Sequence, residues 1–219
     1  MRRITKSPQP NILQEYRRKI GASYAVIDKV VYDAVLLSLL NEQGWVCGYC
    51  QQQIKNISRA SIEHFCEQSI CNGQNGTEDL RLSYSNMMAV CPGDAGLYQL
   101  HCDAKKATFA NTPRLPIQVS PWNHAHMAAI KYTSTGIVDS SFERHAAEIN
   151  EVLNLNLKLL KEKRKDKYLA FFSVSKYKDR TKEKEKMRRL LQSDLQKNGN
   201  KFSNDFPGLS EWMIQKYCS

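Results

Sequence analysis

No stretch of this 219-residue sequence approaches the ~20 consecutive apolar residues needed for a membrane-spanning helix. The basic start, Met1-Arg2-Arg3-Ile4-Thr5-Lys6, is not followed by the apolar segment of a secretion signal. A cytoplasmic protein with no membrane partner is therefore expected. Internal repeats are missing, which argues against solenoids and arrays. No low-complexity linker is long enough to demand a second independent domain. Acidic residues are scarce: 22 Asp and Glu stand against 32 Lys and Arg, a formal net charge of +10. Such an imbalance favours a polyanionic partner, because lysine and arginine near phosphates release condensed counterions. Eight of the ten surplus charges fall between Lys161 and Arg189, where a solvated helix face is the plainer alternative.

Cysteine is not scarce. Seven are present, at 47, 50, 66, 71, 91, 102 and 218. Without a secretion signal a disulfide framework is not expected in a reducing cytosol, which leaves metal binding as the leading use. Cys66 and Cys71 read as buried thiols or spare ligands, and Cys218 as incidental.

Three regions follow from composition and periodicity. Residues 1–43 form an arm and a helix: Pro8 and Pro10 mark an extended segment up to Gly21, and Asp28 then caps a helix to Asn41 that Gly44 can end. Residues 44–110 are short-segmented and rich in Cys, His, Asn, Asp and Gly, as in a loop-rich, metal-stapled module. Residues 111–219 are basic and mainly helical. There a proline-broken stretch over 111–122 precedes a hairpin of Ile130-Lys131-Tyr132 with Gly136-Ile137-Val138. Ser140-Ser141-Phe142-Glu143 reads as a capping box opening one helix with the stripe Phe142, Ala146, Ile149, Leu153, Leu157 and Leu160. A last short helix lies near Trp212, after Phe206-Pro207-Gly208. The class expected is α+β.

The chemistry is concentrated in the middle region. Cys47-Gly48-Tyr49-Cys50 has the two-residue gap that lets both thiolates of a tight turn reach one tetrahedral zinc. The same spacing suits a redox dithiol, but that would call for a strand-helix-strand setting that the helix entering Cys47 does not supply. Cys91 and Cys102 are the candidates for the second pair. Between the pairs lie Ser61-Ile62-Glu63-His64 and Asn86-Met87-Met88-Ala89-Val90-Cys91, and then Cys102-Asp103-Ala104-Lys105-Lys106.

This ordered set resembles the HNH nuclease family, whose ββα-metal core carries an Asp/Glu-His pair, a mid-motif Asn and a Cys-(Asn/His)-x-x-Lys helix start. Further segments are similar to the HNH subunit of Septu anti-phage defence systems, including retron-associated ones: Glu15-Tyr16-Arg17, Gly21-Ala22-Ser23-Tyr24, Cys91-Pro92-Gly93, His101-Cys102-Asp103 and Leu153-Asn154-Leu155-Asn156. The similarity runs from the N-terminus to about Leu160. It implies a small zinc-stapled HNH core within a mainly helical chain, with structural zinc on Cys47, Cys50, Cys91 and Cys102. It also implies an SMC/ABC-type ATPase partner and, in the retron-attached systems, a reverse transcriptase with its RNA–DNA. The sequence departs from the family's zinc spacing, because Asp94 stands where a cysteine is common. Either Cys91 and Cys102 close the zinc site or His101 replaces one of them.

The resemblance makes His64 the general base and Glu63 with Asp103 the ligands of a catalytic ion. An imidazole titrating near neutrality can take a proton from water at cellular pH. Asp103 stands where the family often has His or Asn, and two carboxylates make an oxygen-rich set that favours Mg²⁺ or Mn²⁺. Asn86 is expected to pin the loop between the strands and orient His64, and Lys105 and Lys106 to contact phosphates of a nucleic-acid substrate, DNA or RNA. Cleavage of transfer RNA at the same site, or a non-catalytic zinc-stapled nucleic-acid-binding adaptor, are the alternatives. His124, His126 and His145 show no persuasive ligand spacing.

Overall fold

A computed structural model describes the chain apart from residues 75, 77, 95, 97, 98, 110–116, 174–179 and 219, and apart from the side chains of 172, 173 and 180–183. The described chain mixes helix and strand, and no helix in it is long and apolar enough to cross a membrane.

The expected extended arm contains a helix, α1 (Asn11–Arg17). Pro10 precedes it in an extended conformation, and Leu13 and Tyr16 are its buried residues. The helix reads as polar because its buried residues are just these two, one helical step apart. α2 (Lys29–Gln43) begins and ends as expected: the Asp28 carboxylate accepts from the Val31 N–H, and Gly44 takes the left-handed conformation at φ 74°. Its Val35, Leu36, Leu39 and Leu40 are buried in the core.

β1 (Ser61–His64) pairs antiparallel with β2 (Met87–Val90), Glu63 opposite Met88 and His64 opposite Met87. All four residues of β2 are buried, so the pair is fixed in register by the core it faces. α3 (Cys102–Ala107) follows, and the three elements form a ββα unit. α4 (His124–Ala128) is capped by Asn123. β3 (Ile130–Tyr132) and β4 (Val138–Ser140) form the expected hairpin, with the second strand two residues later because Gly136 is spent in the turn, donating to the Thr133 carbonyl.

The single helix expected from Phe142 to Leu160 is instead divided. α5 (Glu143–Ala147) passes into a π-turn over Glu148–Val152 and stops; α6 (Lys158–Ser173) starts afresh. Asn154 is left-handed at φ 47°, and the Leu155 N–H bonds back to the Ile149 carbonyl. Two tertiary attachments account for the break. The buried Glu148 carboxylate accepts from the N–H groups of Gln118 and Val119, and the Leu153 carbonyl accepts from the Cys102 N–H. Ile149, Leu153 and Leu160 are buried as the stripe implies, though on separate elements. The capping box does not form either: Ser140 lies in β4, its hydroxyl accepts from the Phe142 N–H, and Phe142 is exposed.

α7 (Arg180–Asp194), a two-residue hairpin of β5 (Lys197–Asn198) and β6 (Lys201–Phe202), and α8 (Pro207–Tyr217) complete the chain. Arg164 of α6 is almost wholly buried and donates to the carbonyls of Gly136 and Leu155, fastening the β3–β4 turn to the loop that follows the π-turn.

Candidate metal cluster and catalytic pocket

The four cysteines singled out by spacing converge. The sulfurs of Cys47, Cys50, Cys91 and Cys102 all lie within 4.8 Å of one another. Cys47 to Cys102 and Cys50 to Cys91 are each 3.8 Å. A tetrahedron of ~2.3 Å zinc–sulfur bonds has edges of about 3.8 Å, so the donor set fits a single metal ion such as zinc.

The local chain explains the convergence. The Cys47 N–H donates to the Gln52 carbonyl and the Gln51 N–H to the Cys47 carbonyl, closing a tight turn. The Gly48 N–H donates to the Ala89 carbonyl of β2, and Cys91 leaves the end of that strand. Gly93, at φ 68°, lets the chain lie against His101. A Cβ there would stand 2.2 Å from the His101 carbonyl oxygen, and the His101 N–H donates to the Gly93 carbonyl at 2.7 Å.

Burial pushes the thiols of Cys50 and Cys102 up, whereas Cys91, bonded by the other sulfurs, is held low. Four thiolates in so dry a place need a cation between them. His101 is a neighbour of the cluster rather than one of its four sulfur donors: its Nδ1 lies 3.1 Å from the Cys102 sulfur.

Glu63 and His64 from β1 and Asp103 from the first turn of α3 line one pocket of about 280 Å³, together with Glu67 and Lys106. Glu63 Oε1 accepts from the Tyr49 hydroxyl at 2.9 Å and from Lys106 Nζ at 2.5 Å. Burial first, and then the charge of Glu63, push the Asp103 carboxyl up to about 7. With no cation present, burial and repulsion from Glu63 thus favour the protonated form of Asp103. Burial lowers His64, which keeps its imidazole neutral at cellular pH. His64 Nε2 faces the Arg81 carbonyl at 2.9 Å; as that oxygen can only accept, the proton belongs on Nε2 and the free basic nitrogen is Nδ1. Tyr24 packs edge-on against the ring at 4.4 Å.

Two expected roles are redistributed. Asn86 does clamp the loop after β1: its side chain accepts from the Cys66 N–H and donates to the carbonyls of Cys66 and Leu80. The group that orients His64, however, is the Arg81 carbonyl. Lys106 is no free phosphate contact: it is buried, ion-paired with Glu63 and bonded to the His64 carbonyl. Lys105 is only half-buried and its ammonium lies 5.1 Å from the Phe109 ring centroid.

Cys66 and Cys71, read as thiols or spare ligands, are joined as a disulfide. The Cys71 N–H donates to the Glu67 carbonyl, folding the loop until the two Cα atoms are 6.0 Å apart, within disulfide range. Sequence reasoning also missed Tyr49, Arg81 and Glu67. One signal was available: Asp103 and Lys106 stand three residues apart and so share a helix face. His126 and His145 touch, with ring centroids 4.4 Å apart, but belong to no ligand cluster among the described residues.

No protein-family model and no curated protein matches this chain.

Proposed function

We infer that this chain is a metal-dependent HNH-type endonuclease that hydrolyses phosphodiester bonds of nucleic acid. The observation that carries this reading is the pocket where one neutral imidazole and two carboxylates converge on a ββα unit beside a four-sulfur cluster. Cys47, Cys50, Cys91 and Cys102 hold a structural zinc. Glu63 and Asp103 would hold Mg²⁺ or Mn²⁺, which when bound would supply positive charge against the negative charge that develops on the phosphodiester.

The remaining steps belong to the chain's own groups. His64 takes the proton of the attacking water at Nδ1, with Nε2 tied to the Arg81 carbonyl. Tyr49 and Lys106 hold Glu63 through Oε1. The products expected carry 5′-phosphate and 3′-hydroxyl ends. Lys105 is the cation left to meet phosphate at the start of α3.

The likeness of the motifs to Septu HNH subunits supports a defence role with an SMC/ABC-type ATPase and, in a retron setting, a reverse transcriptase with its RNA–DNA. Nothing in this chemistry uses a ribose 2′-hydroxyl, so transfer RNA is a substrate class on the same footing as DNA.

Purified protein incubated with plasmid DNA and with transfer RNA, with and without Mg²⁺, tests the reading. Wild-type protein is expected to cleave at least one of the two. His64→Ala is expected to slow cleavage by roughly 10²–10⁴-fold while zinc content stays the same. Undiminished cleavage by that variant removes the mechanism, and Mg²⁺-independent binding without any cleavage favours the adaptor.

A further inference from the structure

On the other side of the cysteine cluster lies a second cleft, of about 460 Å³. Its floor is made by the cluster's own loops, from Cys91 to Asp94 and at His101. Its wall is the segment between the cysteine turn and β1, with Gln52, Lys55, Asn56 and Arg59. Lys55 and Arg59 are exposed, and neither has an ion-pair partner among the described residues. The acid in the lining is Asp94, whose carboxylate accepts from the Gly96 N–H.

The cleft is joined to the catalytic pocket by extended chain. Arg59 ends a short 3-10 turn and Ala60 is extended, leading straight into β1, so Glu63 lies four residues beyond Arg59. At about 3.3 Å per residue the two positions are some ~13 Å apart along the backbone. That is about four base steps along one strand of a duplex at ~3.4 Å each.

We propose that this cleft is a phosphate-backbone subsite in which Lys55 and Arg59 hold the nucleic-acid strand a few nucleotides from the bond cleaved at Glu63, His64 and Asp103. The proposal rests on the nuclease reading for its ligand and adds where the flanking strand lies. Two cations on the wall, above a floor made by the loops that carry Cys91 and His101, give a sequence-independent grip: they position phosphates and read no bases. Beside the wall, the Ile54 N–H donates to the Trp45 carbonyl, and Lys201 Nζ lies 3.7 Å from the Trp45 ring centroid.

Binding is read in the His64→Ala background, so that affinity is measured without turnover, by fluorescence anisotropy of short single-stranded and duplex oligonucleotides across a salt series. Lys55→Gln with Arg59→Gln is expected to lower affinity equally for unrelated sequences. It should also reduce the slope of log affinity against log salt by about 1.5, from ~0.7–0.9 per lost phosphate contact. Lys131→Gln with Lys158→Gln, equal in charge removed and on another surface, is expected to leave that slope within error, and zinc content should be the same in all variants. An unchanged slope in the Lys55/Arg59 pair, or an equal loss in the control pair, overturns the subsite. Absent cleavage by the parent protein with the predicted change of slope sinks only the nuclease reading. Cleavage with an unchanged slope sinks only the subsite.

Discussion

The two candidate metal positions are neighbours in sequence and opposite in how they balance charge. Around the four sulfurs no lysine or arginine is ion-paired at contact distance among the described residues. Burial disfavours ionising Cys50 and Cys102, the buried guanidinium of Arg164 acts on both only through space, and His101 Nδ1 lies 3.1 Å from the Cys102 sulfur. Around Glu63 and Asp103 the protein offers a cation of its own. Lys106 is buried against Glu63, and the raised Asp103 carboxyl can lose its charge by taking up a proton. On the reading proposed above, the cysteine cluster would depend on its ion for folding, whereas the carboxylate pocket could stand without one.

The contrast is most exposed by withdrawing metals separately. Zinc removal with a strong chelator, or Cys47→Ser, is expected to abolish cooperative unfolding of the module. Structural zinc contributes on the order of 10 kcal/mol, comparable to a domain's whole margin of stability. Removing Mg²⁺ alone should leave the thermal midpoint in place while cleavage stops. Equal midpoints with and without zinc would erase the distinction; differential scanning calorimetry with metal analysis decides it.

A smaller effect tests the self-balanced side. Glu63→Gln leaves Lys106 buried without its counter-charge and is expected to cost ~3–5 kcal/mol in urea unfolding of the zinc-loaded protein without Mg²⁺. A loss well under that would mean Lys106 reaches water or Glu67, and the pocket would not be self-neutralised. Smaller again is the Cys66–Cys71 bridge beside the same pocket. Closing so short a loop contributes roughly 2 kcal/mol in the chain-entropy account, so Cys66→Ser with Cys71→Ser should lower stability by about that much. No change on adding reductant to the wild type would show that the bridge does not brace the pocket's rim.

Much of this was legible because it rests on local rules. Asp28 and Gly44 bracket a helix through capping chemistry, and Glu63-His64 and Met87 to Val90 fall on short strands through spacing. Four sulfurs scattered over more than fifty residues could be grouped because zinc favours a tetrathiolate shell. What stayed hidden was decided by distant partners. A lysine on a short helix reads as solvent-facing until Glu63 is seen beneath it. The stripe from Phe142 to Leu160 reads as one helix because nothing local announces that Glu148 is claimed by Gln118 and Val119, or Leu153 by Cys102. Cys66 and Cys71 were argued from compartment, whereas the Asn86 clamp and the Glu67 turn bring them together. The second cleft had no sequence signature at all, since its floor and wall meet only when the cluster closes.

The turn that carries Cys47 and Cys50 is strapped by much later chain. The Gln51 carbonyl accepts from the Phe206 N–H, its side-chain oxygen accepts from the Gly208 N–H, and the Gln53 N–H donates to Asp205. As the polypeptide leaves the ribosome, every sulfur of the cluster emerges well ahead of that strap. Metal capture can therefore come first, and docking of α8 over Gln51 is the late step that seals an already assembled knot.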